Sequence, residues 1–93
     1  MVYNDGIIQL VWERGAVVRG CSPDNWRSDL FGALICRSAF SKQGSPYGWE
    51  IGKLDQDGPE EGENLRPLHW QSARAQRAAA VRAPARGPII IIA

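Results

Sequence analysis

Apolar residues Ile7, Ile8, Leu10, Val11 and Trp12 recur at helical spacing, and Gly15 ends the run. With Asn4 or Asp5 as its cap, this pattern predicts a short amphipathic helix over roughly residues 5–13 that covers one side of a core. Residues 15–28 carry no such period. Ser22-Pro23-Asp24-Asn25 is a turn signal, and Trp26 is expected to pin this irregular stretch to the body. Leu30 to Arg37, with Leu34, Ile35 and Cys36 as its β-compatible content, predicts a first strand. Ser41 to Pro46 supplies a hairpin turn, and Tyr47 to Leu54 a second strand.

A long helix is expected next, capped by Asn64, with Pro67 in its first turn, and running through Ala80 or Val81. On a helical wheel, Leu65, Leu68, Ser72, Ala75 and Ala79 share the face that would dock on the sheet, and Arg66, Trp70, Arg74 and Arg77 share the other. Periodicity stops after Pro84. The uncharged run Ile89 to Ile92 is expected to pair along a sheet edge or with a second copy of the chain, as a homodimer contact. The expected organisation is therefore a domain over residues 1–83 and an extended apolar tail over residues 84–93. Its class is α+β.

Ninety-three residues make one small domain, and 44% hydrophobic with 23% charged residues is ordinary globular composition. The first apolar run follows an acidic start and is interrupted by Gln9, so neither a signal peptide nor a membrane span is expected, and the cytoplasm is the expected location. With two cysteines and one histidine, a four-ligand zinc site cannot be assembled from Cys and His alone. Cys21 and Cys36 are expected as reduced thiols. Net charge is +1, yet the charge is polarised. Residues 64–93 hold Arg66, Arg74, Arg77, Arg82 and Arg86 and no acid, whereas Glu50, Asp55, Asp57, Glu60, Glu61 and Glu63 crowd the preceding stretch around Lys53.

Trp49-Glu50-Ile51, a charged Gly-containing loop, and Asn64-Leu65-Arg66-Pro67-Leu68-His69-Trp70 together resemble the catalytic half of small bacterial and phage HNH endonucleases. Val11 to Gly15, Pro23-Asp24-Asn25-Trp26-Arg27-Ser28-Asp29 and Gly32-Ala33 extend the resemblance from about residue 7 to residue 77. It implies an HNH-like ββα core. It also implies phosphodiester hydrolysis with one divalent metal: a strand histidine deprotonates water, an adjacent aspartate and a helix ligand hold the metal, and an asparagine orients the histidine.

Carried across, the resemblance puts Lys53 at the base position, Gly52 at the aspartate, Asn64 at the asparagine and Ala73 at the helix ligand. Glycine and alanine offer no metal-binding atom, and a lysine is a cation at neutral pH, so no catalytic residue, metal or other cofactor is expected. Asn64 has a second reading as a plain helix cap, His69 is expected at the solvent edge of the helix, and Glu50 as a surface or Arg-paired carboxylate.

The expected function is that of a catalytically inactive HNH-like domain acting by binding, of the inhibitor or accessory type found in phages and mobile elements. Its partner would be nucleic acid or a nucleic-acid-binding protein complex, and in the protein case Asp55, Asp57, Glu60, Glu61 and Glu63 would imitate phosphates toward a basic cleft. An alternative is direct DNA binding through Lys53, Arg66, Trp70, Arg74 and Arg77. The third reading, a metal-dependent endonuclease with unfamiliar ligands, ranks below both.

Overall fold

The computed structural model describes residues 3–82. Helix α1 (Asp5–Trp12) forms as its apolar spacing predicts: Asn4 is the cap, and its side chain accepts the Ile7 N–H at 2.8 Å. The buried face of α1 is Ile8, Val11 and Trp12, which join Ile35, Trp49 and Leu65 in the core. Trp12 and Trp49 meet at 5.2 Å between ring centroids, and Phe40 closes edge-on against Trp49 at 4.8 Å. Both indole N–H groups find backbone carbonyls, Pro23 for Trp12 and Arg37 for Trp49, so the rings are buried without an unpaired donor.

Two antiparallel sheets follow. The stretch expected to be irregular contributes β1 (Ala16–Val17) and β2 (Trp26–Ser28), and β3 (Leu34–Cys36) completes a three-stranded sheet in the order β1-β2-β3. The second sheet is β4 (Trp49–Lys53) paired with β5 (Leu65–His69). Strand β4 lies where the sequence places it, but its partner differs from the expected Leu30 to Arg37 strand. The 41–46 turn instead leaves Phe40 and Trp49 in one isolated parallel bridge.

The larger correction concerns residues 64–69, which are strand and not the first turns of a helix. Pro67 pairs with Ile51 in the ladder and Leu68 with Glu50, and α2 (Trp70–Arg82) starts only after His69. Leu65, Pro67, Leu68 and His69 are all buried, so β5 is covered on both faces and shows no period-2 alternation for a sequence reading to find. Pro67 is tolerated because a two-stranded sheet consists of edges, where a missing N–H leaves no ladder bond unmade. The helical wheel changes with the boundary. Ala73, 3% exposed, is the residue that docks α2, whereas Ala75 and Ala79 face out.

Strand and helix are joined to the preceding turn at Gly48. Its carbonyl accepts the Trp70 N–H at 3.1 Å, and a Cβ built there would lie 2.0 Å from the Lys42 carbonyl oxygen. Only glycine lets the chain pass this closely. Cys21 and Cys36 are both free thiols. No helix among the described residues is long and apolar enough to cross a membrane. The tail expected over residues 84–93, with its Ile89 to Ile92 run, lies outside the described residues.

Candidate functional site

The hairpin β4–β5 and helix α2 enclose a hollow of about 180 Å³. Gly52, Lys53, Leu68 and Ala73 line it, with Glu50 and Arg77 at one side. Three of the four positions that the sequence singles out, Gly52, Lys53 and Ala73, thus converge although the last is twenty residues further along the chain. Gly52 is fixed by space: a Cβ there would fall 2.4 Å from Leu68 Cδ1, and Leu68 is fully buried and cannot swing away. Leucine occupies the room that a side chain at position 52 would need.

The fourth position, Asn64, acts beside the hollow. It does not cap a helix, because a strand follows it. Its Oδ1 accepts the Asp55 N–H at 2.8 Å while its Nδ2 donates to the carbonyls of Asp55 at 3.0 Å and Pro59 at 2.8 Å. One amide therefore braces the whole 54–64 loop, using both of its polar ends. Lys53 supports the same loop from inside, its Nζ donating to the Gly58 carbonyl at 3.1 Å. Gln56 ties it to α2 by a 2.8 Å bond to Gln76. The exposed acids Asp55, Asp57, Glu60, Glu61 and Glu63 are carried on this braced loop.

The hollow does not fit a catalytic metal. Glycine and alanine contribute no donor atom, Lys53 is a cation, and Glu50 is drawn to Arg77 at 3.1 Å. Among the described residues no group of three or more His, Cys, Asp or Glu side chains converges. At the mouth, the Tyr3 hydroxyl donates to Glu60 at 2.7 Å. Burial, this hydrogen bond and the nearby carboxylate charge together push the Tyr3 phenol up to about 12.

The structure scatters the basic set read from the sequence. Arg66 sits on β5, its Nε bound to the Glu63 carbonyl; Arg77 is paired with Glu50; Arg74 is exposed on α2. Trp70 turns inward, donating from Nε1 to the Ser45 carbonyl at 2.7 Å and stacking on His69 at 5.8 Å. It serves as an anchor for the 45–48 turn, not as an open stacking platform.

His69 is also corrected: it is 5% exposed, not at a solvent edge. Its Nδ1 accepts the Gln71 N–H at 3.0 Å, which leaves Nε2 as the donor to the Pro46 carbonyl at 2.8 Å and defines a neutral tautomer. Asp29, which sequence reasoning passed over except as part of a motif, is 6% exposed. Its carboxylate accepts N–H bonds from Phe31, Ala33 and His69, each at 2.9 Å, and so ties the β2–β3 turn to β5. The turn-forming position before Gly32 was the available signal; the reach to His69 was not visible in one dimension.

The fold and site thus define a small α+β domain organised around a β-hairpin and a helix that share one hollow. Comparison of the chain with family models, with curated proteins and with solved structures found no match.

Proposed function

We propose that this chain is an HNH-derived ββα domain that acts by binding and carries no nuclease chemistry. The order β4, loop, β5, α2 supports the reading, as do the residues that line its hollow. The observation that carries it is the packing of Leu68 into the space beside Gly52, opposite Ala73, since repacking with apolar atoms leaves no position from which an aspartate and a helix ligand could grip one ion. The binding element is the acidic 54–64 loop. Held by Asn64, Lys53 and Gln56, it presents its carboxylates with little ordering entropy left to lose, and suits a basic surface on nucleic-acid-processing machinery. This is the inhibitor or accessory role in physical form.

A second reading, duplex DNA laid along α2, draws on Arg74, which meets no carboxylate among the described residues. It is the weaker one, because Trp70 and Arg77 are engaged within the domain. Affinity capture from a nucleic-acid-containing extract, with a Glu60→Lys and Glu61→Lys variant as control, tests the first reading. Recovery of a nuclease or nucleic-acid complex that the variant loses is expected. Metal-dependent nicking of plasmid by the purified chain would refute the loss of nuclease chemistry. Salt-dependent binding to bare duplex that Arg74→Ala weakens, with a slope about one unit smaller, would favour the second reading.

A further inference from the structure

A second cavity, a cleft of about 270 Å³, lies where the chain leaving α1 passes between the end of β2 and the start of β5. We infer that this cleft binds a carboxylate carried on a short apolar body, a ligand of a different kind from the basic partner proposed for the acidic loop. Two half-buried arginines, Arg14 and Arg66, line it. Each is fixed by backbone carbonyls: Arg14 donates from Nη1 to Gly62 and Leu65, and Arg66 from Nε to Glu63 at 3.1 Å. Neither forms an ion pair among the described residues. Nη2 of Arg14 and both terminal nitrogens of Arg66 are left without a hydrogen bond to those residues, and such a planar fork matches the two oxygens of a carboxylate.

The chemistry of the occupant follows from charge and lining. Asp29 also borders the cleft, but its carboxylate is taken up by the Phe31, Ala33 and His69 N–H groups. Two guanidinium groups against this one carboxylate leave a single positive charge, which a monoanion balances and a dianion overshoots. The acidic loop adjoins the cleft, because the carbonyls of Gly62 and Glu63 are among those that hold the arginines. Exposed Glu61 and Glu63 therefore repel a polyanion such as nucleic acid from this place. Ala16, Leu30 and Pro67 supply an apolar wall, with Leu30 42% exposed. Apolar walls around a few placed polar groups are the make-up of a small-ligand site, and here they suit an aliphatic body behind the carboxylate.

The test titrates the full chain with N-acetylvaline and with isovalerate, two carriers of the same group, and follows the assigned amide resonances. Saturable shifts at residues 14–16, 28–30 and 66 are expected. N-acetylvalinamide, which lacks the charge, and inorganic phosphate, which lacks the apolar body, should bind about tenfold or more weakly. Arg66→Gln should weaken binding by about tenfold as well. Leu30→Asp, at an exposed position that leaves both arginines in place, should abolish the shifts by setting a like charge on the apolar wall. Tighter binding of N-acetylvaline would identify a peptide C-terminus as the source of the carboxylate, and tighter binding of isovalerate a free acid; both support the site. Phosphate that binds as tightly as either probe, no shift at the cleft, or shifts that persist in both variants would overturn it.

Discussion

Gly52 and Leu68 are diagonal neighbours on the β4–β5 pair, and the Leu68 side chain fills the space a Cβ on Gly52 would take, at 2.4 Å. Gly52→Ala should therefore overpack this spot and destabilise the domain by about 1–3 kcal/mol. Adding Leu68→Ala should recover part of that loss, so the two changes are non-additive by at least about 0.5 kcal/mol. Urea unfolding of the two single variants and the double variant measures it; strict additivity would mean that the two side chains do not compete for this space.

Asn64 supports its loop through three hydrogen bonds. Asn64→Ala should destabilise by about 1–3 kcal/mol, and the effect should be largest locally. Amide exchange should accelerate across residues 55–63 well before it does in α1. Asn64→Asp retains the acceptor for the Asp55 N–H but loses both donors, and should fall between the two.

Asp29 is a buried carboxylate whose partners are three backbone N–H groups. Asp29→Ala leaves all three without an acceptor and should cost about 3 kcal/mol or more, the largest loss of any single polar change considered. Thermal melting checks this. An Asp29→Ala variant that melts with the parent would show that water replaces the carboxylate at no loss.

Tyr3 titrates at about 12, above its ordinary 10.0, because burial and Glu60 favour the neutral phenol. The folded protein therefore holds this proton more tightly than the unfolded chain does. The resulting stabilisation is fully present below pH 10 and is lost as pH rises from 10 towards 12. In a Tyr47→Phe background, phenolate absorbance should report that raised midpoint, and Glu60→Gln should bring it down. A midpoint that ignores Glu60→Gln would leave burial as the whole cause.

What the sequence disclosed follows physical lines. Helix α1 was legible because its cap and its 3.6-residue period agree, and β4 because it is short, sets Trp49 and Ile51 in alternation with polar or small residues and is bounded by turn residues. Strand β5 was not legible. Pro67 suits a helix start as well as an edge strand, and burial on both faces removes the alternation that separates them. This one boundary also displaced Asn64 from loop brace to helix cap, moved His69 from the interior to the rim, and rotated the wheel so that Ala73 gave way to Ala75. The meeting of Gly52 and Lys53 with Ala73 around the hollow had no signal in spacing or periodicity. The long-range bonds, Asp29 to His69 and Tyr3 to Glu60, had no sequence signal.

The contact between Gly48 and Lys42 sets a limit on how this chain can diversify. A single methyl group at position 48 would push apart the 42–45 turn and the start of α2, and with them the anchorage of Trp70. Exposed loop positions that make no such contact are freer to drift. In a saturation library selected only for folding, codon 48 should stay fixed where exposed positions around it vary, which makes this residue a better tag for recovering remote cousins of the chain than the exposed side chains at the rim of the hollow.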